Sequence, residues 1–337
     1  MSPLLLALVA LLALVLAYVN GFHDASNAVS TTISTRALSE RAALGLAALL
    51  NLLGALLGLL AVTVTADWAL RLLGLTHVAE ATAGDADLLG WALVVMTLAT
   101  LAWEILTWWL GMPSSTWHAF FGAAMGTSLA VGAHEAWPVV IGMLLGATLL
   151  GPLLGSVLSF AVMRVVLALG RSERVRIGPI RFAQTVSAGA VATAHGMSDA
   201  RLPLALVVIA CATAGIPAAS ATVMLLPVAL AVAAGTLVGG HRIIRTLGRR
   251  LTSLSSAQGM VAESTAAAML GLAVVGFDMP ISTSHTLGAS VVGAGAAIGR
   301  RHVRWAVAGQ MILTWLLTPL ATAVMALVAV IILRDLV

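Results

Sequence analysis

Long apolar segments alternate along this chain with short clusters of arginine or acidic residues. Uncharged stretches of twenty or more residues occur at 42–66, 138–163 and 305–333. Because a helix needs about 20 apolar residues to cross the ~30 Å hydrocarbon core of a bilayer, each stretch predicts a membrane-spanning helix. The stretches are continuous and rich in Leu, Ala and Gly, whereas the strands of a transmembrane β-barrel alternate apolar and polar positions. The pattern therefore predicts an all-α polytopic membrane protein.

The composition agrees with that class. Of the 337 residues, 61% are hydrophobic and 9% are charged, whereas soluble domains carry roughly 25% charged residues. Residues 3–19 follow no basic residue and contain no clear signal-peptidase site, so they are interpreted as the first membrane helix. The single cysteine, Cys211, excludes a disulfide and a cysteine metal site. No structural metal and no nucleic-acid partner are expected.

The arginines predict the topology. Most of them fall in four loops, within residues 36–41, 164–181, 242–250 and 300–304. The positive-inside rule places these loops on the cytoplasmic side of a cell membrane, inner or plasma, and both termini then lie outside the cytoplasm. Traced through these points, the second half repeats the order of helices of the first half in the opposite orientation.

Such inverted-topology repeats are typical of secondary transporters. The predicted organisation is a first transmembrane repeat at residues 1–163, a basic cytoplasmic linker at 164–181 and a second transmembrane repeat at 182–337. The expected fold is therefore two inverted repeats with broken helices and paired helical hairpins.

Unusual residues recur at matching places in the two halves. Residues 112–118, MPSSTWH, match residues 279–285, MPISTSH, at five of seven positions, and each proline predicts the tip of a helical hairpin. Each half also has a glycine three residues before an aspartate within an apolar span, in GFHDA at 21–25 and GMSDA at 196–200. These sites predict an interruption in a membrane helix.

Two aspartates, Asp24 and Asp199, are predicted to lie near the middle of the bilayer. An aspartate there costs about 2.5–3.5 kcal/mol on insertion scales, which favours a function such as binding a cation or carrying a proton. Asn27, one turn after Asp24, is expected to add an amide oxygen to the same helix face. Pairing of each aspartate with a buried polar neighbour is the alternative. Glu104 and Glu263, also in apolar spans, are separate candidates for handling a proton or a cation.

Two clusters of hydroxyl side chains follow the hairpin prolines. A helix that begins there presents free N–H groups and a partial positive charge beside the hydroxyls, which suits a tetrahedral oxyanion. Ordinary N-capping is the alternative, but its duplication in both halves favours an anion site. The six candidates are Ser114, Ser115, Thr116, Ser282, Thr283 and Ser284. His118 and His285 are expected either to hydrogen-bond the tips or to take up a proton.

These motifs together resemble the inorganic phosphate transporter (PiT) family. Residues 21–28, GFHDASNA, are similar to its Gly-x-Asn-Asp-x-Ala-Asn-Ala motif, and residues 195–199 are similar to its His-Gly-x-Asn-Asp motif. The Pro-x-Ser-x-x-His pattern occurs at 113–118 and 280–285, and residues 239–268 resemble the family's cytoplasmic segment before a membrane glutamate, here Glu263.

The resemblance spans nearly the whole chain. It implies symport of phosphate with protons or sodium ions, or transport of a neutral complex of phosphate with a divalent metal. It also implies a central site formed by Asp24, Asn27, Asp199 and the two hydroxyl clusters. No cofactor is expected beyond the coupling cation, and the expected partners are phosphate and the lipid bilayer. A homodimer is left open.

Three departures from the family's pattern bear on the coupling cation. His23 and Ser198 stand where the family has asparagine, and Arg201-Leu202 replaces polar residues after Asp199. Fewer amide oxygens weaken a sodium site, so protons are favoured over sodium. Arg201 is expected either to contact the anion or to fill a degenerate site. The residues expected to surround the site are His23, His118, Ser198, Arg201 and His285.

Two other functions compete with phosphate symport. A sulfate or other oxyanion permease would use the same fold, but only phosphate donates a proton to carboxylates such as Asp24 and Asp199 at neutral pH. An intramembrane enzyme using Ser282 and His285 is disfavoured, because the chain lacks a Gly-x-Ser-x-Gly elbow and a His-Glu-x-x-His motif. The sequence therefore predicts a phosphate importer, not an enzyme, that works by alternating access.

Overall fold

The computed structural model describes residues 1–133, 137–170, 177–277 and 281–334, and in these ranges the chain is helical apart from short connections. The one bridge between extended residues in this part of the chain joins Thr252 and Val303. The α-helices are α1 Pro3–Ser34, α2 Glu40–Leu60, α3 Ala66–Leu73, α4 Thr76–Ala81, α5 Ala86–Leu110, α6 Thr116–Val131, α7 Trp137–Leu145, α8 Gly151–Leu169, α9 Ile177–Asp199, α10 Arg201–Thr213, α11 Leu225–Val238, α12 His241–Arg245, α13 Ser256–Gly271, α14 Thr283–Ile298 and α15 Trp305–Arg334.

Tighter and wider helical turns join several of these helices. Short 3₁₀ segments lie at Ala218–Met224 and Arg300–His302, and π-helical turns lie at Gly146–Leu150, Thr246–Arg250 and Leu272–Gly276. Helix α8 extends to Leu169 and α9 begins at Ile177, so the predicted linker at 164–181 contributes its ends to these two helices.

In the described ranges, eight helical stretches are long and apolar enough to cross a membrane, which confirms the multi-pass prediction. They are Pro3–Ser34, Glu40–Leu60, Ala86–Leu110, Thr148–Leu169, Ile177–Thr213, Ala218–Val238, Ser256–Gly276 and Trp305–Leu333. The hairpin helices α6 and α14 have 16 residues each, which is about 24 Å of helix and less than a full crossing. The predicted orientation of the termini stays a prediction.

The hairpin helices begin where their sequences provide a cap. Ser115 caps α6 by accepting a hydrogen bond from the backbone N–H of His118, and Ser282 caps α14 in the same way from His285. Helix α5 ends at Leu110 and is capped by Gly111, whose φ of 69° lies in the left-handed region that favours glycine. The tip of the second hairpin, including Asp278, Met279 and Pro280, lies outside the described residues.

The two halves of the chain pack against each other through exchanged helices. Helix α1 packs against α11 and α2 against α9, while α6 packs against α15 and α8 against α14. A Cβ atom on Gly21 would lie 2.2 Å from the carbonyl oxygen of Val232, and one on Gly196 would lie 2.2 Å from that of Asn51. These glycines therefore allow the close approach of two helix backbones. The reciprocal packing is what an inverted repeat would produce, although the repeat itself stays a prediction.

The expected helix interruption occurs in the second half only. Helix α1 is continuous from Pro3 to Ser34, so the interruption predicted at 21–25 was wrong. In the second half, α9 ends at Asp199 and α10 begins at Arg201, because Pro203 has no N–H to donate to the carbonyl of Asp199. The motif in α1 contains no proline, and Gly21 packs against α11 without unwinding its own helix.

Candidate functional site

A cluster of buried polar side chains lies where the middle of α1 meets the first residues of α6 and α14. The end of α9 and the last turns of α5 complete its walls. The cluster consists of Asn20, His23 and Asp24 from α1, Glu104 and Thr107 from α5, Ser114 and Thr116 at the first hairpin tip, His195 and Asp199 from α9, and Ser284 from α14. Each of these side chains is buried.

Asp24 contacts the beginnings of both hairpin helices. Its Oδ1 accepts a hydrogen bond of 2.8 Å from the hydroxyl of Ser284, and its Oδ2 lies 3.4 Å from the hydroxyl oxygen of Thr116. The Nδ1 atom of His23 lies 2.9 Å from Oδ1. One carboxylate therefore joins a hydroxyl from each half of the chain.

The amide of Asn20 links the two aspartates. Its Nδ2 lies within hydrogen-bonding distance of Asp24 Oδ2 at 3.3 Å, Thr116 Oγ1 at 2.8 Å and Asp199 Oδ2 at 3.0 Å. Its Oδ1 is buried and has no hydrogen-bond partner within the described residues. That oxygen is available to a ligand. Sequence reasoning missed Asn20, although it lies one helical turn before Asp24.

Glu104 brings a third carboxylate to the cluster. The hydroxyl of Thr116 donates to its Oε1, and in the described part of the chain its Oε2 is buried without a hydrogen-bond partner. Ligand atoms of His23, Asp24 and Glu104 lie within 4.8 Å of one another. The carboxylates of Asp24 and Glu104 lie so close together that they repel one another when both are ionised, so the site favours a bound cation or proton.

Asp199 lies at the opposite side of Asn20. The indole Nε1 of Trp117 donates to its Oδ1 at 3.2 Å, and Nε2 of His195 lies 3.3 Å from its Oδ2. Nδ1 of His195 is in turn 2.9 Å from Oδ1 of Asn51 on α2. The ligand atoms of Asp24, His195 and Asp199 form a second group within 4.8 Å that could hold a cation.

Comparison with known proteins identifies the family of this chain. The model of the phosphate transporter family matches residues 20–180 and 168–326, which include the aspartates and both hairpin helices. The chain belongs to the phosphate transporter family. A probable low-affinity inorganic phosphate transporter from Mycobacterium tuberculosis (strain ATCC 25618 / H37Rv) is 37% identical over 329 residues, which cover 94% of this chain and 75% of that protein.

Two further relatives cover nearly all of the chain. A probable low-affinity inorganic phosphate transporter from Bacillus subtilis (strain 168) is 30% identical over 339 residues, 98% of each chain. A solved structure described as the sodium-dependent phosphate transporter covers 99% of both chains with a TM-score of 0.81 and 20% identity, and it supports the fold. The family and these relatives are transporters, which confirms that this member is not an enzyme.

The hydroxyl residues of this phosphate transporter family member divide into two groups. Ser115 and Ser282 cap their helices, and each hydroxyl also lies close to Nδ1 of a histidine, at 2.8 Å from His118 and 2.6 Å from His285. Thr116, Ser284 and Ser114 face the cluster instead; the hydroxyl of Ser114 is 2.8 Å from that of Thr107 and 3.4 Å from Nε2 of His23. Thr283 Oγ1 is buried without a hydrogen-bond partner in the described part of the chain.

The two hairpin histidines lie against each other. The rings of His118 and His285 stack with their centroids 4.3 Å apart and an angle of 17° between their planes. The ring of His285 also stacks on Trp315 at 4.4 Å, and the Nε1 of Trp315 donates to the carbonyl oxygen of Pro113 at 3.0 Å. This stack joins the first turns of the two hairpin helices.

Glu263 is not part of the central cluster. It is buried on α13, where it accepts hydrogen bonds from Thr31, from Thr32 at 2.8 Å and from Ser187 at 2.9 Å. Two further candidates are buried near Asp199 along the chain: Ser198, whose Oγ has no hydrogen-bond partner in the described part, and Arg201 at the start of α10. The side chain of Asn27 lies outside the described residues.

Proposed function

We propose that this chain imports inorganic phosphate by symport with a cation, protons being favoured over sodium, at the cluster around Asp24. The observation that carries the proposal is that the carboxylate of Asp24 contacts a hydroxyl at the start of each hairpin helix: it accepts a hydrogen bond from Ser284 and lies 3.4 Å from the hydroxyl oxygen of Thr116. A site that joins both halves of the chain is where an alternating-access transporter binds its substrate. The family relatives, named as phosphate transporters, support the choice of substrate.

Phosphate suits the groups that meet at this cluster. The N-termini of α6 and α14 supply partial positive charge, and Thr116, Ser284 and Asn20 supply donors once phosphate replaces their present partners. Protonated phosphate donates a hydrogen bond to a carboxylate, whereas sulfate at neutral pH brings only acceptors. Sulfate would therefore face the three carboxylates without a compensating hydrogen bond. For this reason a permease for sulfate or another oxyanion ranks second, behind a phosphate transporter.

The residues next to the aspartates favour protons as the coupling ion. An imidazole lies beside each of the two aspartates, with His23 Nδ1 2.9 Å from Asp24 and His195 Nε2 3.3 Å from Asp199. A hard cation such as Na⁺ prefers oxygen ligands, whereas a pair of imidazole and carboxylate holds and transfers a proton. The same two groups of three ligand atoms would accommodate a divalent ion that travels with phosphate, which keeps the metal–phosphate complex as an alternative.

Transport would follow from exchange of these bonds. Phosphate and its cation would replace the hydroxyl groups at Asp24, so that the hairpin helices no longer share one carboxylate. The hairpin of each half would then move relative to the other and open the site first to one side of the membrane and then to the other. The two inverted repeats, 1–163 and 182–337, are the proposed moving units.

Phosphate uptake into proteoliposomes tests the proposal. An inward proton gradient and an inward sodium gradient are compared at fixed internal pH, with sulfate as competing anion and with a chelator to remove divalent metals. Uptake driven by protons alone, and unchanged by sulfate and chelator, is expected. Uptake driven by sodium would overturn the coupling ion, and loss of uptake on chelation would favour the metal complex.

The variant Asp24→Asn tests the site itself. It keeps the shape of the side chain but removes the shared carboxylate, so uptake is expected to be abolished while membrane insertion is retained. The control is Asp67→Asn, which removes an exposed carboxylate paired with Arg71 and is expected to leave uptake unchanged. Wild-type uptake by Asp24→Asn would remove Asp24 from the mechanism.

A further inference from the structure

An apolar groove of about 520 Å³ lies on the outer face of the helix bundle, between α8, α14 and α15. Leu149, Leu153 and Ile312 are among its exposed apolar walls. On α15 the lining extends from Trp305 to Leu316, which is about 16 Å at the helical rise per residue. That length is about half of the ~30 Å hydrocarbon core. The groove therefore has the depth of one lipid leaflet.

The end of the groove at Trp305 is strongly basic. The indole Nε1 of Trp305 donates to the carbonyl oxygen of Arg300 at 3.0 Å. Arg304 Nη1 donates to the carbonyl oxygens of Arg249 at 3.0 Å and Arg250 at 3.2 Å, which holds two basic segments side by side. The exposed side chains that form this arginine cluster are Arg249, Arg250, Arg300, Arg301 and Arg304. Within the described residues none of them forms a salt bridge with an acidic side chain.

The inner end of the groove touches the transport machinery. Trp315 lines the groove and also holds the carbonyl of Pro113, the residue before Ser114. Its ring stacks on His285, which stacks on His118. An occupant of the groove would therefore contact the side chain that holds the first hairpin tip in position.

We propose that the groove binds an acyl chain of an anionic phospholipid, with the headgroup phosphate on the arginine cluster, and that this lipid stabilises the Trp315 contact on which the hairpin tip depends. The cluster supplies the charge that an anionic headgroup needs, and the apolar groove supplies the leaflet-deep surface that its chain needs. The effect on uptake rests on the proposed function, whereas lipid binding does not.

A second copy of the chain fits the groove less well. A dimer formed about a two-fold axis along the membrane normal would place the two arginine clusters face to face at the same depth. Such like charges at an interface oppose association. A lipid phosphate instead neutralises them.

Native mass spectrometry of the purified protein tests binding, with dioleoyl phosphatidylglycerol and dioleoyl phosphatidylcholine as probes. Gly309→Leu fills the groove, because a Cβ at Gly309 has no atom within 4 Å. Its control is Gly45→Leu, a helical glycine that is equally uncrowded and lies away from the groove. Arg300→Gln/Arg301→Gln removes headgroup charge, and Arg41→Gln/Arg181→Gln removes the same charge elsewhere.

The wild-type protein is expected to retain phosphatidylglycerol about tenfold better than phosphatidylcholine, and the groove and headgroup variants are expected to lose about tenfold in retention. The two controls are expected to match the wild-type protein. Equal retention of both lipids, or unchanged retention by Gly309→Leu, would overturn the proposal. A dimer of the wild-type protein that the Gly309→Leu variant fails to form would also overturn the proposal.

Phosphate uptake then tests the functional part. Proteoliposomes containing phosphatidylglycerol are expected to give faster uptake than those of phosphatidylcholine alone, and Gly309→Leu is expected to lose that difference. Lipid binding without any difference in uptake would refute the link to the hairpin tip. If the wild-type protein transported no phosphate in either lipid, the proposed function would fail while the binding result stood.

Discussion

Asn20 provides a sharp test of the central cluster, because its amide is placed between Asp24, Asp199 and Thr116. Asn20→Leu keeps the approximate volume of the side chain but removes all three contacts. A hydrogen bond to a charged group contributes about 1.5–3 kcal/mol, and 1.4 kcal/mol corresponds to a factor of ten. Loss of one such bond in the transport cycle therefore predicts about 10–100-fold slower uptake, and loss of two predicts more.

Asn20→Asp changes the same position in an informative way. An ionised aspartate would place an oxygen where Nδ2 lies 3.0 Å from the carboxylate of Asp199, so repulsion replaces a hydrogen bond. A protonated aspartate can still donate one hydrogen bond. Uptake by Asn20→Asp relative to the wild-type protein is therefore expected to rise as the pH is lowered, whereas the ratio for Asn20→Leu stays low at every pH.

The assay is initial phosphate uptake into proteoliposomes over a pH series, with each variant divided by the wild-type rate at the same pH. Thr100→Val serves as the control, since it removes a buried hydroxyl whose hydrogen bond, among the described residues, is to the Met96 carbonyl of its own helix. It is expected to transport at nearly the wild-type rate. Wild-type uptake by Asn20→Leu, or an Asn20→Asp ratio that is flat or rises with pH, would refute the assignment of Asn20 to the site.

Two further changes test the proton pathway and the helix packing. Glu104→Gln keeps an acceptor for Thr116 but cannot carry a proton. It is expected to retain phosphate exchange across the proteoliposome membrane and to lose accumulation driven by a proton gradient. Normal accumulation would exclude Glu104 as the proton carrier. Gly21→Ala places a Cβ 2.2 Å from the carbonyl oxygen of Val232 and is expected to destabilise the protein by about 1–3 kcal/mol or more. Its control, Gly45→Ala, meets no atom within 4 Å and is expected to be neutral or slightly stabilising. The melting temperatures of the two purified variants check this prediction, and equal values would contradict it.

Most of the fold could be predicted because the bilayer imposes it. A hydrocarbon core of ~30 Å requires long uncharged segments, and α15, at Trp305–Arg334, falls within one residue of the predicted stretch at 305–333. The short helices α3 and α4 were missed. They lie in the acidic segment between two spans, where no membrane requirement shapes the sequence.

The candidate site was predictable where a charged residue interrupts an apolar span, as Glu104 does, or where its residues belong to a repeated motif. Asp24 and Asp199 were found in this way, but the residues one helical turn before them, Asn20 and His195, were not. Both lie four residues before their aspartate, so the same spacing in the two halves was an available signal. Thr107 gave no comparable signal, because its role depends on which face of α5 packs against α1.

Glu104 and Glu263 lie at different distances along the chain from the start of their hairpin helices, which explains why only Glu104 joins the cluster. Glu104 lies twelve residues before Thr116, whereas Glu263 lies twenty residues before Thr283. Eight additional residues correspond to about 12 Å along a helix. Glu263 is therefore displaced towards the first turns of α13, where it meets Thr31 and Thr32 of α1. A sequence comparison that counts only apolar spans cannot distinguish these two positions along the helix.

The exchanged packing of the helices bears on how the two halves would move. The first hairpin helix α6 packs on α15, the last helix of the second half, and α14 packs on α8, the last helix of the first half. A displacement of one hairpin tip therefore pushes on a helix of the other half. Because the carboxylate of Asp24 contacts the hydroxyls of both Thr116 and Ser284, release of that carboxylate by substrate would free both tips together. Coupling between the halves would then arise from the packing itself and would need no separate hinge.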